Sequence, residues 1–139
     1  MTVDENKAVV RRFAEEVWSQ GNLEVLGDLV TGDVARNGQR LGVDGMGGVV
    51  AMIRGALPDL RGEIVDLIGE DDKVVWRYVS RGTHRGPLMG VPATGRRVEY
   101  TGTATLRLVD GRIAEIWDNV DLLALLQQIG AVPRIGHAG

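Results

Sequence analysis

The chain has 139 residues, of which 44% are hydrophobic and 25% charged, with a net charge of −3. That length reads as one domain, and folding a domain of this size buries roughly two-thirds of the unfolded surface, enough for a core without covalent staples. Mild acidity disfavours nucleic acid as the main partner, and the absence of cysteine excludes disulfides and thiolate chemistry.

In chain order, Thr2 and Glu5 form a capping-box pattern. Val10, Phe13, Ala14, Val17 and Trp18 then recur at helical spacing, which predicts a helix over 3–20 closed by Gly21. Asn22 is placed to cap a second, shorter helix with Leu23, Leu26, Leu29 and Val30 inward and Gly32 as its stop. Residues 33–43 read as a short irregular strand and loop, with Asn37-Gly38 as a turn. Asp44 caps a third helix whose inner face is Met46, Val49, Val50, Ile53 and Leu57, and Pro58 stops it. The glycines at 45, 47 and 48 carry neither a GxGxxG nor a GK[ST] pattern, so they read as close packing rather than a phosphate loop.

From residue 61 the chain turns β-branched and aromatic. Four runs, RGEIVDLIGE, DKVVWRYVSRG, RRVEYTGTATLRLV and RIAEIWDNV, are split by turn signals at Glu70-Asp71-Asp72 and Asp110-Gly111. The loop from Gly82 to Arg97 is long enough to be functional or part of an interface. A last helix spans Leu122–Ile129, and 133–139 reads as a flexible tail after a single domain over 1–132. Helices segregated from strands mean α+β, with a curved antiparallel sheet of about four strands wrapped around helices. No run approaches the ~18 apolar residues of a membrane span. The charged opening MTVDENKAVVRRF has no apolar leader core, so the expected location is the cytoplasm.

Two histidines far apart and no cysteine give no zinc spacing, and no metal is expected. Ser19 and Ser80 belong to no nucleophile motif. Acid–base chemistry remains. Alternation puts Ile113, Glu115, Trp117, Asn119 and Asp121 on one face of the last strand, with Ala114, Ile116, Asp118 and Val120 on the other. Asp121 then has two readings. It caps the following helix, or it faces an apolar interior that raises its pKa and suits it to move protons. A bulge that slips the parity would put Asp118 inside instead. On the neighbouring strands Val74, Trp76, Tyr78 and Ser80 share an inner face, as do Val98, Tyr100, Gly102, Ala104 and Leu106. Gly102 and Ala104 are small, which means either a tight contact or a hollow.

Three stretches, NKAVVRRFAEEVWSQGNLEVLGDLV, GTHRGPLMGVPATGRRVEY and VDGRIAEIWDNVDLLALLQQIG, resemble the SnoaL-like polyketide cyclase family of the NTF2-like superfamily, across residues 5–130. The resemblance implies a cone-shaped α+β barrel with an interior pocket, a homodimer or higher homo-oligomer formed through the outer sheet face, and chemistry without a cofactor. It also implies an aspartate at the position of Asp121 as the general acid/base of an intramolecular aldol closure. The aldol cyclases carry a histidine where an ungapped reading puts Ala104. They carry an asparagine where Arg36 falls, with Asn37 one residue later. The expected function is therefore an enzyme of natural-product (antibiotic-type) biosynthesis, a lyase or isomerase that closes a ring in a small apolar or polycyclic substrate by aldol-type or shape-driven cyclisation. Asp121 is its acid/base. Trp18, Trp76, Tyr78, Tyr100 and Trp117 shape the pocket, and Asn37 and Asn119 donate to a substrate oxygen. The alternatives are an epoxide-opening enzyme, in which Asp121 activates the nucleophile, and a non-catalytic small-molecule-binding module.

Overall fold

A computed structural model describes residues 1–133; the remainder of the expected tail, 134–139, lies outside the described residues. Helix α1 (Val3–Arg12) opens on the capping box, with Thr2 Oγ1 accepting from Glu5 N–H and Glu5 Oε1 from Thr2 N–H, both at 3.0 Å. It runs on as a π-helical segment, Phe13–Ser19. The wider turns of that segment bring Phe13 and Val17 into the core while Trp18 is only partly buried. One turn of helix, α2 (Leu26–Leu29), leads into strand β1 (Val30–Arg36).

The second helix is shorter than its apolar spacing suggests. Asn22 closes a local turn onto Glu24 N–H, Leu23 is exposed, and Val30 and Gly32 already belong to β1, where Val30 aligns with Ile113. Sheet pairing of a β-branched residue outweighs its place on a helical face. The Asn37-Gly38 turn, both residues at positive φ, joins β1 to β2 (Gln39–Arg40). Helix α3 spans Gly42–Ala56. It starts two residues before Asp44, which lies in the first turn, where its charge complements the helix dipole.

Strands β3 (Arg61–Glu70), β4 (Lys73–Thr83), β5 (Arg97–Val109) and β6 (Arg112–Val120) form an antiparallel meander, and helix α4 (Leu122–Gln128) ends the described fold. The sheet has six strands in the order β2-β1-β6-β5-β4-β3, with β1 parallel to β6. It curves without closing, so β2 and β3 are its edges. Helix α1 packs on β3, β4 and β6, α3 on β1, and α4 on β5. Phe13 is fully buried at the centre, edge-on to Trp18 and Trp76 with centroids at 6.4 and 6.2 Å.

Arg54 of α3 ties three segments together. Its Nη1 donates to the carbonyls of Trp18, Ser19 and Leu60 at 2.8–3.1 Å, and its Nη2 to that of Pro58 at 3.1 Å. These carbonyls end the first helix and line the α3–β3 turn, so one guanidinium satisfies acceptors that have no helical partner. Arg54→Met is expected to lower unfolding free energy by about 2–3 kcal/mol in denaturant titration. Gly48→Ala, at an exposed position of α3 with open space around the added methyl, is expected to raise it by about 0.5–1 kcal/mol.

Candidate active site

The concave sheet face, the π-helical segment, α3, α4 and the loop after β4 enclose a cavity of about 440 Å³. Its walls are mainly apolar, with Trp18, Ile53, Leu57, Trp76, Leu88 and Leu125 among them. Arg36, Asn37, Tyr78 and Asp118 form a connected polar group on the same lining.

Asp118 reaches the cavity because β6 carries an extra residue. Arg107 pairs with Glu115, but Leu108 pairs with Ile113, so Ala114 bulges from the ladder. Ile113 and Ile116 are both buried, three residues apart, and from there the inward positions are Asp118 and Val120. Strict alternation fails at this point. Trp117 is therefore on the outer face, 48% exposed, with its indole N–H donating to the Glu115 carboxylate and its ring against Gly38. That hydrogen bond, followed by one from Arg107 Nε, holds the Glu115 carboxyl below its ordinary pKa. Asn119 and Asp121 also lie outside the cavity, in a shallow outer cleft beside Thr101 and Thr103. Asp121 is the N-cap of α4, its Oδ1 accepting from Ala124 N–H at 3.1 Å while its own N–H donates to Thr101 O.

Around Asp118 each bond has a local cause. Left-handed Asn37 turns β1 over beside β6, donates its N–H to Ile116 O at 2.8 Å and accepts Asp118 N–H on Oδ1 at 2.8 Å. Tyr78 O–H donates to Asp118 Oδ1 at 2.9 Å, and Arg36 Nη2 donates to Oδ2 at 3.2 Å. The Asp118 side chain is 10% exposed and that of Arg36 23%. Tyr78 comes from β4, two strands from Asp118, and crosses β5 over Gly102. A Cβ on Gly102 would meet the Tyr78 ring and hydroxyl at 2.2 Å, so glycine there is the seat of the phenol.

Burial, and then the neighbouring Asp118 charge, push the Tyr78 phenol well above its usual pKa. Burial raises Tyr100 as well, against a lowering hydrogen bond from Ser80. Both tyrosines stay neutral, and Tyr78 donates to Asp118. Arg36 Nε and Trp76 Nε1 are among the buried side-chain atoms that have no partner among the described residues. No group of three His, Cys, Asp or Glu side chains suited to a metal occurs among them either.

Of the residues expected at the site, Trp18, Asn37, Trp76, Tyr78 and Tyr100 meet on the cavity, whereas Trp117, Asn119 and Asp121 do not. Arg36 and Asp118 join it instead. The signal for Asp118 is the pair Ile113 and Ile116: both can be inside only if the strand slips parity between them.

The fold is that of an NTF2-like α+β cone with an interior pocket, its sheet left open. Residues 8–129 match the SnoaL-like polyketide cyclase pattern, and the chain belongs to that family. It is 36% identical over 66 residues to the aklanonic acid methyl ester cyclase DauD of Streptomyces sp. (strain C5), a match covering 45% of this chain and 41% of DauD. Its fold superposes on TsrD of Streptomyces laurentii with a TM-score of 0.87 and 27% identity, over 95% of this chain and 99% of TsrD. For IdmH of Streptomyces antibioticus the TM-score is 0.79 and the identity 31%, over 90% of this chain and 98% of IdmH.

The chain has only two tyrosines, which makes their ionisation directly readable. A raised phenol pKa stabilises the fold below the unfolded value of about 10, and that contribution is lost as pH rises through the folded value. Phenolate absorbance is expected to stay flat through about pH 10 while the protein remains folded, and to rise only with alkaline unfolding. Ionisation of both tyrosines near their ordinary value in the native protein contradicts the buried Tyr78–Asp118 bond.

Proposed function

We propose that the chain is a cofactor-independent cyclase of polyketide-type natural-product biosynthesis, with Asp118 as its acid/base. The observation that carries this reading is one carboxylate, held on both oxygens by Tyr78 and Arg36, at the polar end of an apolar cavity. An apolar enclosure binds a flat substrate by area and strengthens the few polar contacts inside it. The substrate's rings lie against Trp18 and Trp76. Asp118 takes the acidic proton from a carbon next to a carbonyl. The resulting enolate carbon attacks a second carbonyl of the same molecule, and the new alkoxide takes the proton back from Asp118. Tyr78 and Asn37 position the carboxylate, and the walls fold the substrate so that the reacting carbons meet. The name of DauD supports a methyl ester as the substrate class.

We also place the protein in the cytoplasm as a homodimer. A row of outward residues, Ile68, Val75, Thr105 and Trp117, runs across the outer sheet face, and exposed Ile68 and Trp117 support burial there by a second copy.

Epoxide opening is the second reading. It requires a charged partner beside the base, and Arg36 at 3.2 Å from Asp118 fits that requirement. There Asp118 activates a water or hydroxyl nucleophile.

The test uses Asp118→Asn and Asp121→Asn on a panel of β-keto methyl esters, including aklanonic acid methyl ester, and matched epoxides. Asp118→Asn is expected to lose turnover by about 10²–10⁴-fold with ligand binding retained. Asp121→Asn keeps a capping oxygen and is expected to keep turnover. Equal turnover by Asp118→Asn and wild type would remove Asp118 from the chemistry. Activity confined to the epoxides would select the second reading.

A further inference from the structure

Arg36 is the counter-ion of Asp118. A guanidinium carries five N–H donors in a fixed plane, and the bond from Nη2 to Asp118 Oδ2 engages one of them. Its Nε is buried and has no partner among the described residues. A donor left without any partner costs about 1–3 kcal/mol, so this one has hydrogen-bonding capacity to offer. The residue is itself part of the cavity lining, with Asn37 next to it in the chain and Asp118 against it.

We infer that Arg36 is the oxyanion-holding residue of this cavity: its free N–H donors take the oxygen that becomes negative when a substrate carbon is deprotonated, so the substrate class is an enolisable carbonyl compound whose reacting oxygen lies beside Asp118. The inference rests on the acid/base reading of Asp118. Before proton transfer the negative charge is on Asp118. The carbon–hydrogen pair then becomes the new carbon–carbon π bond, the carbonyl π pair moves to oxygen, and the proton goes to Asp118. The negative charge moves from the carboxylate to the substrate oxygen, and Arg36 lies beside the carboxylate on the cavity lining. As Asp118 becomes neutral its hold on Nη2 weakens, and the enolate oxygen gains what the carboxylate loses. The cation is fixed in place beforehand by its bond to Asp118, so little reorganisation is needed at the moment of transfer.

The state to imitate is a neutral residue at 118 with an anionic oxygen beside it. Asp118→Asn supplies the neutral residue, and in that background Arg36→Gln leaves no unpaired carboxylate behind. The probes are a nitronaphtholate, a flat stable oxyanion, and its uncharged methyl ether. The naphtholate is expected to bind Asp118→Asn about 10–100-fold more tightly than Asp118→Asn/Arg36→Gln, the range set by loss of a charged hydrogen bond. The ether is expected to bind both variants equally, which reports an intact cavity. If the ether binds both and the naphtholate shows no preference, Arg36 only balances the charge of Asp118 and this inference falls while the cavity reading survives. If neither probe binds either variant, the cavity reading fails and takes the oxyanion role with it.

Discussion

One extra residue in β6 decides which side chains this protein shows to its interior. Side chains on a strand alternate, so inserting Ala114 into the ladder reverses the face of every later residue in the strand. The driving force is packing. Leu106 and Leu108 of β5 are both buried, and the residues paired with them on β6 are Ile116 and Ile113, three apart rather than two. Burying both isoleucines forces the bulge. The bulge sends Trp117 outward and Asp118 inward, and Asp121 is left at the strand's end to cap α4. The carboxylate of the cavity is thus a consequence of two hydrophobic contacts a few residues earlier in the same strand.

The neighbouring strands are built to receive it. The absence of a side chain at Gly102 of β5 leaves room for Tyr78, whose hydroxyl is on Asp118. Ala104 is paired with Asp118 across the β5–β6 ladder. The aldol cyclases that the chain resembles carry a histidine at the position of Ala104, and here a phenol from one strand further away meets the carboxylate instead. Tyr78 is pushed towards its neutral form, so its contribution is a fixed hydrogen bond rather than a second proton carrier. Arg36, where those cyclases carry an asparagine, brings a charge. The polar end is thus built around Asp118 with Tyr78, Arg36 and Asn37 as its neighbours, inside a cavity whose walls are mainly apolar.

Much of this architecture is legible in the chain. The helix start at Thr2, the four long strands and the closing helix all come from capping, alternation and turn chemistry. The inner faces of β4 and β5 are also as alternation predicts, with Trp76, Tyr78, Tyr100, Gly102 and Ala104 inside. Short elements are harder to read. Residues 22–30 carry helical spacing but too few residues for an independent helix, and pairing with β6 claims Val30 onward. Asp121 fits two patterns at once, an N-cap and a strand-end carboxylate, and only the long-range pairing of β6 with β5 separates them. Arg36 has no local signal, since its role comes from a parallel contact with a strand some eighty residues later.

Asp118, and not Asp121, lines the cavity and is the carboxylate that meets whatever the cavity holds. Carboxyl-carbon NMR of the unmodified protein, titrated with a flat methoxyanthraquinone, tests it without altering either residue. The Asp118 resonance is expected to shift in step with binding while the Asp121 resonance stays in place. A shift confined to Asp121 would contradict the bulged register of β6 and the site built on it.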